Sequence, residues 1–139
     1  MPITILLVDD HKVFRDALRR MLEGCAELQV VAEAGDGAEA IELAERHHPD
    51  VAVVDIGMKK MNGIEATAQL RRHSPETAVL ILTVYNDERY MASAAAAGAR
   101  AYLLKDSLDE DELVRAIQTV RAGGRVFKSA APASGPPAS

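Results

Sequence analysis

The sequence predicts an α/β fold in which a parallel sheet is covered by helices on both faces. Short apolar runs rich in Val, Ile and Leu recur five times, and several are apolar at consecutive positions. That pattern is typical of parallel strands buried on both sides. Between the runs, apolar residues repeat with helical spacing. Alternating strands and helices joined by right-handed crossovers give a sheet of this kind.

The elements follow in order along the chain. The five predicted strands cover residues 3–8, 28–34, 51–56, 78–83 and 101–104. Four of the intervening helices show an apolar stripe, formed by Phe14, Leu18, Met21 and Leu22, by Ala40, Ile41, Leu43 and Ala44, by Ile64 and Ala68, and by Leu113, Ile117 and Val120. The fourth helix, over residues 87–97, is indicated by its alanines and has few large apolar side chains.

Turn and capping residues lie where these elements should begin and end. Asp36 and Asn62 precede helical stretches and are residue types that cap helix N-termini. Gly98 follows the alanine-rich helix, where a glycine can end it. Pro49 and Pro75 come just before strands, where a helix cannot continue. The punctuation therefore agrees with five strand–helix units.

The chain has 139 residues, which suits one domain with a sizeable core. From Ser129 onward it contains only Ser, Ala, Pro and Gly, a composition that buries little apolar surface. We therefore expect a folded domain over residues 1–124 and a flexible linker or tail over residues 125–139. A linker to a further domain is the interpretation that we favour.

Charge and cysteine content limit the possible partners. The net charge of −5 makes direct binding to a nucleic-acid backbone unfavourable, so contact with DNA would need another part of the molecule. The single cysteine, Cys25, excludes an internal disulfide and fits the reducing cytoplasm. No apolar run reaches the roughly 18 residues that a membrane span needs, so no membrane contact is expected.

Polar side chains follow several of the predicted strands. Asp9 and Asp10 end the first strand, Asp55 lies near the end of the third, Thr83 ends the fourth, and Lys105 follows the fifth. Ligands of open parallel sheets bind at the carboxyl ends of the strands. Three carboxylates, a hydroxyl and an ammonium are therefore expected to meet at one edge of the sheet.

Carboxylates this close together repel, so one stays protonated or a cation lies among them. Oxygen ligands at a wet edge favour Mg²⁺, which takes one or two carboxylates together with a phosphate. Neighbouring strand residues point in opposite directions, so Asp9 and Asp10 are not equivalent ligands. A carboxylate can also act as a nucleophile toward phosphorus, and Mg²⁺ and a lysine can neutralise the charge of the transfer.

These motifs together resemble the receiver domain of two-component response regulators. The resemblance covers residues 3–124 and rests on Asp9-Asp10, on Asp55, on Thr83 and on Lys105 after Tyr102-Leu103-Leu104. Residues 9–11, 61–65 and 98–106 are most similar to the subfamily that carries a LuxR-type helix-turn-helix after the receiver. The resemblance implies a flavodoxin-like (βα)5 fold whose five-stranded, doubly wound parallel sheet has the strand order 2-1-3-4-5.

The resemblance also implies roles for individual residues. Asp55 would be the phosphoacceptor and a Mg²⁺ ligand. Asp10 would bind Mg²⁺ directly, Asp9 would bind it through water, and the main-chain carbonyl of Gly57 would supply another ligand. In the switch, Thr83 would move to bond the phosphoryl group.

Two further roles follow from the same resemblance. Lys105 would pair with the phosphoryl group, and Tyr102 would turn inward when Thr83 moves. The added charge and acceptor oxygens would thereby repack a surface.

The function implied is that of a regulator controlled by phosphorylation, not of an enzyme that turns over a substrate. Self-phosphorylation and slow autodephosphorylation are the only catalysis expected. The phosphoryl donor would be a sensor histidine kinase or a small acyl phosphate. The phosphorylated domain would form a homodimer and control DNA through an output domain absent from this chain. The alternative is a protein-interaction module with the receiver fold that works without phosphorylation.

An aspartyl phosphatase and a nucleotide-binding fold are less favoured. Phosphatases of that kind need a second Asp two residues after the nucleophile, where this chain has Gly57. Neither a G-x-x-x-x-G-K loop nor a G-x-G-x-x-G motif follows the first strand.

Three positions depart from the family pattern. Lys59 stands where the family usually has proline, and Asp106 follows Lys105 where a cis proline is usual. A cis bond before a residue other than proline costs about 2.5–4 kcal/mol, so none is expected here. Val84, after Thr83, is larger than the usual small residue and narrows access to the site.

Overall fold

A computed structural model describes residues 1–127, in which strands and helices alternate. The strands are β1 (Ile3–Val8), β2 (Leu28–Ala34), β3 (Val51–Val54), β4 (Ala78–Thr83), β5 (Ala101–Leu104) and β6 (Val126–Phe127). The helices are α1 (Lys12–Glu23), α2 (Gly37–His47), α3 (Gly63–His73), α4 (Glu88–Ala97) and α5 (Glu110–Arg121), with a short 3₁₀ turn over Lys105–Ser107. The alanine-rich segment is thus helical, as its composition predicts.

The strands form one sheet in the order β2-β1-β3-β4-β5-β6, and all neighbours are parallel. The predicted parallel sheet and its order through β5 are confirmed, whereas the prediction of five strands is wrong. After α5, Gly123 takes a φ of 99° and the chain turns back, so that the N–H of Val126 donates to the carbonyl of Arg100 at 2.9 Å. Strand β6 lies in the segment 125–139 that was expected to be a linker or tail. The rest of that expectation falls on residues 128–139, outside the described residues.

Strand β3 is two residues shorter than its apolar run. The sequence predicts a strand through residue 56, but β3 ends at Val54. The carbonyl of Ile56 accepts hydrogen bonds from the N–H groups of Met58 and Gly63, both at 2.9 Å. These bonds turn the chain away from the sheet, so Asp55 and Ile56 begin the loop that leads to α3.

Apolar side chains cover both faces of the sheet. On one face the core includes Leu22 of α1 and Ile117 of α5. On the other it includes Ala44 of α2, Leu70 of α3 and Ala94 of α4. Burying a leucine or isoleucine side chain of this size contributes about 1.5–3 kcal/mol, so the two layers hold the helices on the sheet. Within residues 1–127 no helix is long and apolar enough to cross a membrane.

The predicted caps set the starts of α2 and α3. The side chain of Asp36 accepts a hydrogen bond from the N–H of Glu39, and the side chain of Asn62 accepts one from the N–H of Glu65. Such caps satisfy N–H groups that have no partner within the helix, and each is typically worth about 1 kcal/mol. The cap of α3 fixes the loop that follows β3.

Helix α3 begins against the backbone of Asp55. A Cβ atom at Gly63 would lie 2.2 Å from the Asp55 carbonyl oxygen and 2.7 Å from the Cα of Ile56. Only glycine has room there. The approach fixes the distance between the start of α3 and the carboxyl end of β3.

Candidate functional site

The carboxyl ends of the strands bring the predicted polar residues close together. Asp9 follows β1, Asp55 follows β3, Thr83 ends β4, and Lys105 follows β5. Asp9, Asp55 and Thr83 are buried, with exposures of 4%, 5% and 0%. Buried polar groups need partners, so the contacts among these side chains decide what the site can do.

The ammonium of Lys105 joins two of the carboxylates. Its Nζ lies 2.7 Å from Oδ2 of Asp9 and 3.6 Å from Oδ2 of Asp55. It also lies 4.1 Å from the centroid of the Phe14 ring, at the start of α1. A cation over an aromatic face is attracted by the ring quadrupole. Two acids and a ring therefore hold the lysine at the centre of the site.

The carboxyl of Asp55 is shifted toward its neutral form. Burial is the main reason that its pKa is raised, and Lys105 opposes this while the charge of Asp9 adds to it. A further cation near Asp55 would favour the charged carboxylate, because opposite charges stabilise ionised groups.

Asp9, Asp10, His11 and Asp55 together form an acidic cluster. Each offers one ligand atom, and these four atoms lie within 4.8 Å of one another. Oxygen Oδ1 of Asp10 is buried and has no hydrogen-bond partner within residues 1–127. His11 Nδ1 lies 3.4 Å from it, outside hydrogen-bond geometry. A buried carboxylate oxygen without a partner is the donor that a hard cation such as Mg²⁺ takes, so the cluster fits this ion.

The cluster opens to solvent through a pocket of 250 Å³. Asp10, His11, Gly57 and Lys59 line it. The other oxygen of Asp10, Oδ2, accepts a hydrogen bond from the backbone N–H of Lys59 at 3.3 Å. A proline at position 59 could not make this bond, since it has no N–H.

Thr83 and Tyr102 both contact Tyr85. The hydroxyl of Thr83 accepts a hydrogen bond from the N–H of Tyr85 at 3.3 Å, and the hydroxyl of Tyr102 donates to the Tyr85 carbonyl at 2.6 Å. Tyr102 is fully buried, and burial is the main cause that raises its pKa to about 12. The phenol is therefore a neutral donor, and the two predicted switch residues meet on one backbone segment.

The ring of Tyr85 lies beside the mouth of the site. A Cβ atom at Gly57 would be 3.3 Å from the Tyr85 ring and 3.7 Å from Oδ2 of Asp55. The ring centroids of Tyr85 and Tyr90 are 5.2 Å apart. Because the ring borders position 57, the glycine there leaves room beside the carboxylate.

Val84 and Asp106, two of the positions that depart from the family pattern, are exposed to solvent. Val84 is 52% exposed. Within residues 1–127 no peptide bond is cis, so the bond after Lys105 is trans, as expected. Asp106 is exposed in the 3₁₀ turn that follows β5.

Three contacts of the site were not expected from the sequence. They are the ring of Phe14 beneath Lys105, the backbone of Tyr85 between Thr83 and Tyr102, and the Lys59 N–H on Asp10. Only the first has a signal in the sequence. Phe14 lies four residues after Asp10, on the helix that begins at Lys12, but it was assigned to the apolar stripe of that helix.

We compared the whole chain with known protein families, and the result agrees with the set of residues found at this site. The sequence pattern of the response regulator receiver domain matches residues 5–118. The chain belongs to this family. Receiver domains of response regulators are generally not classical enzymes.

The curated relatives of this receiver include transcriptional regulators. The transcriptional regulatory protein DegU of Brevibacillus brevis is 43% identical over 88% of the chain and 51% of its own length. The nitrate/nitrite response regulator NarP of Escherichia coli is 42% identical over 91% of the chain and 58% of its own length. The receiver thus spans little more than half the length of these relatives.

Solved structures agree in fold. A two-component response regulator of the LuxR family from Aurantimonas sp. SI85-9A1 superposes with a TM-score of 0.85 at 38% identity, over 91% of this chain and 89% of that one. The response regulator domain of Thermotoga maritima CheB gives a TM-score of 0.82 at 28% identity, over 88% and 98%.

Proposed function

We propose that this receiver accepts a phosphoryl group on Asp55 from a sensor histidine kinase, with Mg²⁺ bound in the acidic cluster. The observation that carries the proposal is the buried contact of Lys105 with Asp9 and Asp55, at 2.7 and 3.6 Å. A buried ion pair costs more in desolvation than it returns unless its geometry is excellent. A lysine that bridges two buried carboxylates is therefore better explained by the charge of an incoming group than by stability.

In the transfer, a carboxylate oxygen of Asp55 attacks phosphorus, and the bond from phosphorus to the donor nitrogen breaks. Lys105 already contacts Asp55, so its remaining N–H groups can reach an oxygen of the bound phosphoryl group. Raising the pKa of Asp55 by burial makes its oxygen a better nucleophile once neighbouring cations keep it charged. The chain thus supplies nucleophile and charge, which are the main needs of phosphoryl transfer.

Mg²⁺ would be held by Asp10, by Asp55 and by the carbonyl of Gly57, with Asp9 acting through water. When bound, it neutralises negative charge on the phosphoryl oxygens. The unpartnered Oδ1 of Asp10 supports its role as a direct ligand. The contact of Asp9 with Lys105 supports a less direct role for Asp9, because one of its oxygens is already in use.

The switch would work through Tyr85. A phosphoryl group on Asp55 attracts the Thr83 hydroxyl, and movement of Thr83 toward that group would lengthen the hydrogen bond that it accepts from the N–H of Tyr85. Tyr102 is bonded to the carbonyl of the same residue, so a change at Thr83 is passed on to it. The added charge therefore acts on a segment that is 40% exposed at Tyr85, where a partner can sense it.

The names of the relatives support the rest of the proposal. Their names describe transcriptional regulation and nitrate/nitrite response. For this receiver we propose a homodimer on phosphorylation, a DNA-binding output domain beyond residues 125–139, and a cytoplasmic location. In that arrangement residues 1–124 are the receiver, β6 completes its sheet, and the remainder of residues 125–139 is the linker.

The test is intact-mass spectrometry after incubation with acetyl phosphate and Mg²⁺. We expect one added phosphoryl group on the unmodified chain, none on Asp55→Asn, and none after EDTA. Size-exclusion chromatography of the phosphorylated chain then tests the homodimer. Absence of both the added mass and Mg²⁺ binding would contradict the proposal and favour an interaction module that works without phosphorylation.

A further inference from the structure

The amino-terminal edge of the sheet carries a hollow of 220 Å³ beside the end of α4. Three arginines and three small residues line it, namely Arg71, Arg100 and Arg125 with Ala95, Gly98 and Ala99. We call it the arginine hollow. Every charged residue of its lining is an arginine, although the whole chain has a net charge of −5.

The side chain of Arg71 is held at both ends. Its stem lies against Gly98, where a Cβ atom would come within 2.6 Å of Cγ of Arg71. Its Nη1 donates a hydrogen bond to the carbonyl of Pro75 at 3.0 Å. Gly98 has a φ of 110°, so both its conformation and its lack of a side chain suit this contact.

The other two arginines are also fixed by uncharged partners. Arg100 donates from Nη1 to the carbonyl of Gly123 at 2.9 Å. The guanidinium of Arg125 lies 5.4 Å from the centroid of the Phe127 ring, within the range of a cation–π contact. Fixed side chains lose less conformational freedom when they bind a ligand.

None of these three arginines forms an ion pair with another of residues 1–127. Some arginines elsewhere in the described residues do form ion pairs. Arg15 and Arg19, for example, both contact the carboxylate of Glu33, at 3.0 and 2.7 Å. The arginines of the hollow therefore have no ion-pair partner among residues 1–127.

A second hollow next to it shares Arg71 and Arg100 and also contains Asp50 and Glu76. These two acids are already engaged. Asp50 accepts hydrogen bonds from both the N–H and the hydroxyl of Thr4, and Glu76 contacts His48 at 2.8 Å. Both acids are therefore hydrogen-bonded to groups other than these arginines, and neither belongs to the lining of the arginine hollow.

Compensation of helix dipoles explains only part of the cluster. Arg71 lies in the last turn of α3, where a cation is favourable. Arg100 precedes β5 and Arg125 precedes β6, so neither belongs to a helix. The last turn of α4 itself has no basic residue.

We propose that the arginine hollow binds a small phosphate-bearing anion. Arginine presents a planar fork of N–H donors that pairs with two oxygens at once, which suits a phosphate group. One donor of Arg71 and one of Arg100 are used by carbonyls, and the remaining donors can serve the ligand. The site is separate from the acidic cluster and does not depend on phosphorylation of Asp55.

The first experiment titrates the ¹⁵N-labelled chain with inorganic phosphate, against chloride at the same ionic strength and without Mg²⁺. The resonances to follow are the Nε–Hε groups of Arg71 and Arg100 and the backbone amide of Gly98. We expect saturable shifts at these groups at millimolar phosphate. A parallel titration with glycerol 3-phosphate distinguishes free phosphate from a phosphate monoester as the source.

Two variants and a matched control test the assignment. Arg71→Gln and Arg100→Gln should each weaken binding about tenfold, because a charged hydrogen-bonding partner is lost. Arg72→Gln makes the same change of charge one residue away, outside the lining of the hollow, and should change the dissociation constant less than twofold. The ¹H–¹⁵N spectrum of each variant reports whether it is folded.

The proposal fails if phosphate and glycerol 3-phosphate cause only linear shifts equal to those of chloride. It also fails if Arg72→Gln weakens binding as much as Arg71→Gln, because diffuse charge would then explain the effect. Binding of a DNA duplex or an acidic peptide at these arginines, without binding of either phosphate compound, would replace the small anion by a macromolecular partner.

Discussion

The two edges of the sheet carry unbalanced charge of opposite sign. At the carboxyl edge, Asp9, Asp10 and Asp55 face a single ammonium, that of Lys105. At the amino edge, the arginines of the hollow form no ion pair with a carboxylate of residues 1–127, although Asp50 and Glu76 line the neighbouring hollow. The first arrangement needs a cation, and the second needs an anion.

The two edges also hold their charges in different ways. Lys105 is fixed by opposite charges and is only 10% exposed in its side chain. Arg71 and Arg100 are fixed by backbone carbonyls and are only half-buried. Opposite charges that fix each other cancel most of their field, whereas neutral partners leave the field available. A ligand at the carboxyl edge must therefore enter among charges that already contact one another, whereas a ligand at the amino edge would meet arginines whose hydrogen-bond partners are uncharged.

The largest effect should come from breaking the backbone contact at the carboxyl edge. Gly63→Ala puts a Cβ atom 2.2 Å from the Asp55 carbonyl oxygen. Either α3 or the end of β3 must move, so we expect the free energy of unfolding to fall by about 3 kcal/mol. Urea denaturation measures this loss.

The matched control is Gly123→Ala at the amino edge. Gly123 has a φ of 99°, but nothing lies within 4 Å of the added Cβ atom. Only the conformational cost remains, about 1–2 kcal/mol. An equal loss in the two variants would mean that the contact with Asp55 does not constrain the carboxyl edge.

A middle-sized effect should follow from removing the aromatic partner of Lys105. Phe14→Leu keeps an apolar side chain but loses the ring face that lies 4.1 Å from Nζ. A cation–π contact of about 1 kcal/mol corresponds to about a fivefold slower phosphorylation by acetyl phosphate. Phe14→Tyr should restore the rate, and the Lys105 side-chain protons should lose their ring-current shift only in the leucine variant.

The control lies on the same helix. Met21 packs against the same core cluster as Phe14. Met21→Ala should lower the stability but leave the phosphorylation rate unchanged. If it slows the reaction as much as Phe14→Leu, the ring serves packing and not the position of Lys105.

The smallest effect concerns the bond between Lys59 and Asp10. Lys59→Pro removes the N–H that holds Oδ2 of Asp10, whereas Lys59→Ala keeps this N–H and removes only the charge. Groups that hydrogen-bond a metal ligand orient it. We therefore expect Mg²⁺ to bind about threefold more weakly to the proline variant than to the alanine variant by calorimetry. Equal affinities would show that the bond does not orient Asp10.

Much of the fold could be predicted because its pattern is local. Apolar runs, Asp36 and Asn62 as caps, and Gly98 as a stop each depend on a few neighbouring residues. Strand β6 could not be predicted, since a two-residue strand has no periodicity and depends on pairing with β5. The predicted end of β3 was wrong because Ile56 is apolar, like a strand residue, yet its carbonyl accepts hydrogen bonds from the loop that follows.

The site also contains one part that the sequence predicts and one part that it does not. The sequence was enough to predict which side chains meet at the strand ends, because the ends of parallel strands lie at one edge of the sheet. These are Asp9, Asp55, Thr83 and Lys105. The backbone bonds of Tyr85 and Lys59 could not be predicted, since the side chain of a residue says little about where its N–H or carbonyl points. The arginine hollow is also invisible in sequence, because its members are far apart along the chain and ordinary as single surface residues.

Strand β6 also has a mechanical consequence. Its Phe127 is in register with Tyr102 of β5, and Tyr102 holds the carbonyl of Tyr85. Because β5 and β6 are hydrogen-bonded neighbours, a shift or tilt of β5 would also move β6. A displacement of Tyr102 would thus reach Phe127 directly, because the two residues are partners on adjacent strands.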